Sequence, residues 1–243
     1  MKMKYGRRID GIIRKMYKTL DRYFGDLGWW PARSRFEIIV GAILTQNTSW
    51  KNVEKAIKEL RDRKLLSIEG IRKAENRSIE DAVRCSGYYR QKTERLKIIT
   101  DFLVLEGGNR LKKCHTIDTD IFRRKLLSVK GIGPETADSI LLYAFDRPIF
   151  VVDAYTMRIF ERHGLIEGKT KYDVVQDMVH SAIGNDARAF NRFHAAIVEI
   201  GKRFCRNKSA LCEECPVRDC FKIKGGGSNV NNRKGYRGSH ISR

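Results

Sequence analysis

The chain has 243 residues, 42% of them hydrophobic, and its 49 lysines and arginines exceed its 29 aspartates and glutamates by 20. This hydrophobic content can fill a sizeable core, which excludes intrinsic disorder as a description of the whole chain. No run reaches the ~20 apolar residues of a membrane span, and the opening MKMKYGRRID lacks the apolar core of a signal peptide, so a soluble, cytoplasmic protein with no membrane partner is expected.

Helical periodicity dominates the first part of the chain. Residues 36–44 are apolar on nearly every side, which at this length predicts a buried central helix that stops at Gln46. Valines, alanines, isoleucines and leucines then recur at i, i+3, i+4 and i+7 from Val53, which is typical of an amphipathic helix. Ser78 is predicted to cap a short helix that follows it.

Further helices are predicted along the rest of the chain, and an all-α protein is therefore expected. Residues 148–152 are the one plausible extended piece, read either as a short strand or as a buried linker. The predicted helices span about 91–105, 119–127, 134–146, 153–163, 171–183 and 186–204.

The end of the chain, 225–243, is rich in Gly, Asn and Ser with no acidic residue, and it is predicted to be a mobile basic tail. Six of the 20 excess positive charges lie after residue 221, so the body of the protein is basic too. Nucleic acid leads the list of polyanionic partners, although membrane-surface, ribosomal and thermophilic proteins can share such a charge.

Four cysteines near the end of the last predicted helix form the pattern C-x6-C-x2-C-x4-C. Four converging thiolates suit a [4Fe–4S] cluster or a Zn²⁺ ion, and the spacing favours the cluster without excluding zinc. Structural disulfides are disfavoured in a reducing cytosol. The set comprises Cys205, Cys212, Cys215 and Cys220, whereas Cys85 and Cys114 are expected to be free thiols.

A glycine turn, Gly131-Ile132-Gly133, joins two predicted helices. Both glycines permit positive φ and the close approach of a foreign backbone, and Pro134 suits the first position of the next helix. Such a turn exposes amide N–H groups that bind anions, so it is interpreted as a phosphate clamp with Lys130 beside it. A plain corner between two helices is the alternative.

Asp153 follows the apolar pair Val151-Val152 and opens the next predicted helix. An aspartate is among the best N-cap residues, so this position requires no further function. A catalytic carboxylate is the competing interpretation.

The hairpin, the aspartate about twenty residues after it and the terminal cysteine pattern together resemble the helix-hairpin-helix glycosylase superfamily, in its endonuclease III branch, over roughly residues 29–220. The resemblance implies a six-helix barrel lobe at 34–147, a second helical lobe from 1–33 and 148–224, and a DNA-binding cleft between them. It also implies a monomer that acts on damaged double-stranded DNA near the nucleoid and holds a [4Fe–4S] cluster on the four cysteines. The last cysteine spacing is x4 here, against x5 in the commonest family pattern.

Bifunctional members of this superfamily carry a lysine two residues after the second hairpin glycine, where this chain has Glu135. A carboxylate cannot form the Schiff base that strand cleavage needs, so a monofunctional glycosylase that uses water is predicted. Asp153 matches the catalytic aspartate of the superfamily, which would stabilise the oxocarbenium-like sugar and orient or deprotonate the attacking water.

The three tryptophans, Trp29, Trp30 and Trp50, resemble the base pocket of the 3-methyladenine DNA glycosylase III group, in which aromatic residues at the positions of Trp30 and Trp50 sandwich the flipped base. A cationic alkylated purine such as 3-methyladenine gains cation–π attraction from such rings. That group typically lacks the iron–sulfur cluster, so the chain mixes features. Core packing is the alternative for each tryptophan, and His194 is expected either in the pocket or in the core.

Gln46, followed by Asn47, matches the residue that fills the gap left by the flipped nucleotide, and Tyr88 resembles the residue that wedges the opposite strand. Two other functions remain open on the same motifs. One is a glycosylase for pyrimidine lesions or for uracil and thymine mismatches, and the other is a non-catalytic DNA-binding iron–sulfur protein.

Overall fold

The computed structural model describes residues 6–108 and 111–221, which fall into two compact units. The first unit contains Gly28–Val151 and Asn185–Asn191. The second unit contains the described residues up to 27, Val152–Gly184 and the described residues from 192 onward. The predicted basic tail, 225–243, lies outside the described residues.

The described residues form helices and connecting loops without a β-strand, which confirms the all-α prediction. An isolated bridge between Cys205 and Ala210 is the one β-type pairing in this part of the chain. Residues 149–152 are buried and belong to neither a strand nor a helix, so the linker interpretation of this segment is correct. No helix among the described residues combines the length and the apolar character needed to cross a bilayer.

The first unit is built around α2, Arg35–Leu44, which is buried on nearly every side. Ser34 caps it by accepting a hydrogen bond from the Glu37 N–H at 3.1 Å. The helix packs against the helices Trp50–Asp62 (α3), Tyr89–Gly107 (α6) and Pro134–Ser139 (α8), so its apolar surface on all faces is explained by its neighbours. The helices that follow are α3 Trp50–Asp62, α4 Ile68–Lys73, α5 Asn76–Val83, α6 Tyr89–Gly107, α7 Thr119–Leu127 and α8 Pro134–Ser139.

The second unit contains four α-helices and the loop that carries the four C-terminal cysteines. Its first helix, α1, packs against the third, α10, with Ile13, Met16 and Leu20 on its buried face. The helices are α1 Arg7–Phe24, α9 Ala154–Arg162, α10 Tyr172–Ile183 and α11 Ala187–Arg203, the last of which belongs to this unit from Arg192 onward.

Two predicted helix boundaries are wrong. Helix α5 begins at Asn76 with Glu75 at its N-cap, so Ser78 lies inside the helix and caps nothing. The helix predicted at 134–146 is α-helical only to Ser139, because Ile140–Ala144 widens into a π-helical segment. Both differences reflect tertiary packing, which single-residue capping and periodicity signals do not report.

Candidate active site

Asp153 is the N-cap of α9, and its two carboxylate oxygens have different partners. Oδ1 accepts hydrogen bonds from the Thr156 N–H at 2.7 Å and from the Thr156 hydroxyl at 2.9 Å. Oδ2 lies 3.6 Å from Nε2 of His194, which is buried. The capping interpretation of Asp153 is therefore confirmed, and one oxygen still remains for another role.

The environment of Asp153 keeps its carboxylate ionised although the side chain is only 12% exposed. Burial is the strongest single influence and raises the pKa, but the polar contact and charge of His194 and the hydrogen bonds from Thr156 together outweigh it, so the pKa lies below its ordinary value. Because a lowered carboxyl pKa keeps the charge down to lower pH, the stability that this group contributes is lost only as the pH falls through the folded pKa.

The three tryptophans form one aromatic cluster in the first unit. Trp29 and Trp50 have ring centroids 5.5 Å apart, and Tyr143 of the π-helical segment lies 5.3 Å from Trp30. All three tryptophans are half-buried, so the cluster belongs neither to the closed core nor to the open surface.

Trp30 and Trp50, which are predicted to sandwich the flipped base, do not lie parallel to each other in this structure. Their rings meet edge to face, with centroids 5.0 Å apart and an interplanar angle of 84°. Edge-to-face contact is favourable for two indoles with nothing between them. A base stacked between these rings requires one of them to turn, and Trp50 is the one tethered by a hydrogen bond, from its Nε1 to Glu54 Oε1 at 2.9 Å.

Gly41 of α2 makes room for Trp30. A Cβ atom at Gly41 would lie 3.0 Å from Cζ2 and 3.2 Å from Nε1 of the Trp30 indole. The indole therefore lies directly on the backbone of the central helix, which only a glycine permits without displacement.

The glycine turn is confirmed as a hairpin between α7 and α8, with one correction. Gly131 has φ 84°, whereas Gly133 has φ −95° and serves as the extended N-cap of α8, so only the first glycine needs the left-handed region. Pro134 occupies the first turn of α8 as predicted. The Ile132 N–H closes the turn onto the Val129 carbonyl, while among the described residues the N–H groups of Gly131 and Gly133 donate to no backbone acceptor. Two donors of the turn are thus available to an anion.

The two charged residues predicted beside the hairpin are both exposed. Glu135 lies in the first turn of α8. Lys130 donates to Glu94 Oε1 at 2.8 Å, and this contact lowers the pKa of Glu94. Ion pairs exposed to this degree are weak, so an anionic ligand can displace the carboxylate.

Gln46 lies against the hairpin. Its Nε2 donates to the Gly131 carbonyl at 3.2 Å and to the Thr136 hydroxyl at 2.9 Å, and its Oε1 accepts a hydrogen bond from Arg95. The next residue, Asn47, is exposed with φ 54°. The structure therefore brings Gln46 and the glycine turn together, which their separation in sequence did not reveal.

Tyr88 stands at the start of α6 with its side chain 63% exposed. Its backbone is left-handed, with φ 47° and ψ 34°, a strained conformation for a bulky residue. Such strain at an exposed aromatic is typical of a residue held in place for binding.

A buried lysine, Lys92, connects the segments that carry Gln46 and Tyr88. Its side chain is 1% exposed, and its ammonium donates to the Leu44 carbonyl at 2.9 Å and to the Ser86 carbonyl at 2.6 Å. Burial, together with the nearby Arg95, lowers the pKa of Lys92 to about 8.

The four cysteines lie in one loop of the second unit. Short 3-10 turns at Cys212–Glu214 and Arg218–Cys220 shape this loop. Arg162 of α9 donates to the Cys205 sulfur at 3.2 Å and to the carbonyls of Arg206 and Asn207 at 2.7 and 2.8 Å. Arg162 is the last residue of α9, so the C-terminal end of this helix binds the cysteine loop, whereas Asp153 caps its N-terminal end.

The cysteine thiols interact but do not form a compact single-ion site. Burial raises the pKa of Cys215, and charge on the other three cysteines raises it further, which places all four within electrostatic reach. No group of three or more His, Cys, Asp or Glu side chains in the described ranges is placed to hold a metal ion.

Sequence reasoning missed Gly41, Lys92, Arg95 and Thr136. Gly41 interrupts an otherwise apolar helix, which is a recognised sign of close packing. Lys92 falls on the buried stripe of α6 four residues before Leu96, where a lysine is out of place unless it is paired. Arg95 and Thr136 carry no comparable signal, because their partners are distant in sequence.

Comparison with known proteins gives a consistent result. Residues 40–182 match the HhH-GPD superfamily, described as base excision DNA repair proteins. A candidate DNA repair glycosylase of Methanocaldococcus jannaschii is 48% identical over 209 residues, covering 86% of this chain and 94% of the relative. Endonuclease III of Thermotoga maritima is 30% identical over 200 residues, covering 82% and 88%.

A solved structure shares the fold of this chain. The 3-methyladenine DNA glycosylase of H. pylori, solved with bound 1,N6-ethenoadenine, superposes with a TM-score of 0.69 at 30% identity. The match covers 80% of this chain and 97% of that protein. The two-lobed helical fold expected from the hairpin motif is therefore confirmed.

The contact between Gly41 and Trp30 predicts that Gly41→Ala displaces the indole by a few tenths of an ångström. The near-UV circular dichroism of the tryptophan cluster should change while the far-UV helical signal is retained. Gly11→Ala in α1 is the matched control, because a Cβ there meets no atom within 4 Å. That control should leave the near-UV spectrum unchanged and raise the free energy of unfolding by about 0.5–1 kcal/mol. An unchanged near-UV spectrum for Gly41→Ala would show that the indole does not rest on α2.

The buried ammonium of Lys92 predicts a specific pH dependence of stability. Below pH 8 both states hold the proton, and above about 10.4 neither does. Between these values the unfolded chain binds more protons, so the free energy of unfolding rises with pH, with a slope approaching about 1.4 kcal/mol per unit. Urea titrations across this range should give a more positive slope in the wild type than in Lys92→Met, by about this amount. Lys97→Met, on the same helix and only half-buried, should keep it, and equal slopes in all three proteins would contradict the assignment.

Proposed function

This chain belongs to the HhH-GPD superfamily of base excision DNA repair proteins, and from that premise we propose that it is a monofunctional DNA glycosylase that removes an alkylated purine, such as 3-methyladenine, by hydrolysis. Its partner in this proposal is double-stranded DNA containing the damaged base, to which the net charge of +20 provides sequence-independent attraction. A single chain carries every residue assigned below, in keeping with a monomer.

The observation that carries the proposal is the ionised carboxylate of Asp153. A carboxylate that is 12% exposed and still has a lowered pKa is preorganised to stabilise positive charge. The hydrogen bonds from Thr156 fix Oδ1, and Oδ2 faces His194, so the side chain has one orientation. We therefore assign His194 to Asp153 rather than to the base.

Hydrolysis at the sugar follows from this carboxylate. As the bond between C1′ and the base breaks, the bonding electrons leave with the base and positive charge develops on the sugar, which Asp153 stabilises. A water molecule then bonds to C1′, and its proton passes to the carboxylate. A cationic alkylated purine departs as a neutral base, so modest stabilisation by the protein is sufficient.

We assign binding of the damaged base to the tryptophan cluster. Indole rings are the best partners for a cationic ring system, and Trp30 and Trp50 are half-buried, so they can accept a ligand. Because the two rings touch edge to face and Trp30 rests on Gly41, we propose that Trp50 gives up its hydrogen bond to Glu54 and turns away from Trp30 as the base enters, with Trp29 lining the same cluster. The binding of a modified adenine by the H. pylori relative supports a purine.

Strand cleavage is not part of the proposed activity. Glu135 occupies the position at which a lysine would form a Schiff base with the sugar, and a carboxylate cannot do so. The DNA backbone is assigned to the turn Gly131-Ile132-Gly133 and to Lys130, whose exposed ion pair is easily exchanged.

Three exposed or loop residues are assigned to the distorted duplex. Gln46 fills the gap left by the extruded nucleotide, Asn47 borders it, and Tyr88 wedges the opposite strand. The strained backbone of Tyr88 supports this role, since an aromatic side chain is displayed to solvent at a cost in conformational energy.

We further propose that Cys205, Cys212, Cys215 and Cys220 hold a [4Fe–4S] cluster. The fit rests on the donor set, which is four interacting thiols in one loop, and on the N–H donor that Arg162 already directs at Cys205. When bound, the cluster would cross-link this loop and fix its conformation. Because Arg162 of α9 binds this loop, an ordered loop would also hold the C-terminal end of α9, which is the end opposite Asp153.

Asp153→Asn tests the enzymatic proposal. Asparagine caps helices as well as aspartate does, so the free energy of unfolding should change by less than about 1 kcal/mol. Release of 3-methyladenine from methylated duplex should fall at least ~100-fold, because a neutral side chain cannot stabilise the sugar cation. Full activity in this variant would refute the mechanism.

The same assay separates the alternatives. The wild type should leave an intact abasic strand, and strand cleavage coupled to base release would contradict the monofunctional assignment. Release of uracil, thymine or an oxidised pyrimidine in preference to the alkylated purine would show that the substrate is one of these alternative bases. Tight binding without turnover on every lesion would indicate a non-catalytic protein.

The cluster proposal predicts iron in the purified protein. Anaerobically prepared protein should be brown and contain about four iron atoms per chain, and Cys215→Ser should lose most of this iron. Cys85→Ser, which changes a cysteine of the other unit, is the matched control and should retain it. Zinc in place of iron would overturn the assignment.

A further inference from the structure

Arg95 of α6 lies across the glycine hairpin. A Cβ atom at Gly131 would lie 2.5 Å from Nε and 2.9 Å from Cγ and Cδ of Arg95, so the side chain follows the backbone of the turn in direct contact. Gly131 is therefore constrained twice, by its φ of 84° and by the arginine that covers it. This contact places a guanidinium beside the two free N–H groups of the turn.

The hydrogen-bond partner of this guanidinium is neutral. Among the residues that the structure describes, Arg95 donates to the amide oxygen of Gln46 and forms no ion pair. Neighbouring cations are paired differently, since Lys130 contacts Glu94 and Arg123 contacts Asp138. Arg95 is half-buried, so it retains access to solvent.

The Gln46 side chain is fully engaged by the same network. Its Oε1 accepts from Arg95, and its Nε2 donates to the Gly131 carbonyl and the Thr136 hydroxyl. In this state the amide is folded onto the protein and is not extended toward a ligand. Any movement of Gln46 into DNA must first break its bond to Arg95.

We propose that Arg95 is a DNA-phosphate ligand of the hairpin, and that binding of the phosphate draws its guanidinium from Gln46 and so removes one of the three hydrogen bonds that hold Gln46 away from the duplex. A charge-assisted, bidentate contact with phosphate is stronger than a contact with a neutral amide, so the phosphate wins the exchange. The release of Gln46 rests on the role proposed above for that residue, whereas the phosphate contact does not.

Salt dependence of DNA binding tests the first half of this proposal. Affinity for a duplex with an abasic-site analogue is measured for the wild type, Arg95→Gln and Arg72→Gln at several salt concentrations. Loss of one phosphate contact should reduce the magnitude of the negative slope of log K against log salt by about 0.9. Arg72, which pairs with Asp101 on the surface, is the matched control for loss of one positive charge and should leave the slope unchanged. An unchanged slope for Arg95→Gln would overturn the phosphate contact.

A double-mutant cycle tests the exchange. Because Gln46→Ala removes the competitor for Arg95, it should tighten binding to undamaged duplex by about two- to fivefold, a gain worth about 0.4–1 kcal/mol. In the Arg95→Gln background the same change should have no effect. Persistence of the gain in that background, or its absence in the wild type, would refute the exchange.

One further measurement completes the test. A 2-aminopurine opposite the abasic analogue should report filling of the gap by Gln46 in Arg95→Gln at least as strong as in the wild type, because the bond that restrains Gln46 is absent, and weaker filling would contradict the restraint. None of these assays measures base release, so loss of the hydrolytic proposal through Asp153→Asn would leave the phosphate contact standing. Failure of the salt-slope test would equally leave Asp153-dependent excision intact.

Discussion

A helix that is buried on every side must satisfy its last carbonyls inside the protein, and this constraint shapes the first unit. At the end of α2 the Thr45 hydroxyl donates to the Gly41 carbonyl and the ammonium of Lys92 donates to that of Leu44. Leu44 lies two residues before Gln46. The second acceptor of Lys92 is the carbonyl of Ser86, which lies two residues before Tyr88. One buried cation therefore serves both as a cap for the central helix and as the common support of two loops.

In the second unit, one short helix, α9, has Asp153 at one end and contacts the cysteine loop near the other end. At one end of α9, Asp153 accepts a hydrogen bond from the Thr156 N–H, and its pKa is lowered. Toward the other end, Arg158 donates to the Cys205 and Gly201 carbonyls, and Arg162 donates to the loop beyond. The helix is only nine residues long, so both ends lie within about 14 Å. The same short helix, α9, therefore both contacts the cysteine loop and orients the carboxylate of Asp153.

Much of this organisation could be predicted from local signals, and the remainder could not for physical reasons. The bounds of α7 at Thr119–Leu127 and the cap at Asp153 follow from periodicity and capping chemistry, which act within one or two turns. The ring angle of Trp30 and Trp50 depends on rotamers set by tertiary packing. The partners of Lys92 and Gln46 lie 48 and 90 residues away, so no window of sequence contains both members.

The indole of Trp30 resting on the bare backbone of Gly41 also restricts how the chain can change over time. Neither position can be exchanged alone without loss of fit, since a side chain at 41 collides with the ring and a small residue at 30 leaves a void against α2. The two sites are free to vary only as a pair. Homologous sequences that carry a larger residue at position 41 should therefore carry a smaller one at position 30.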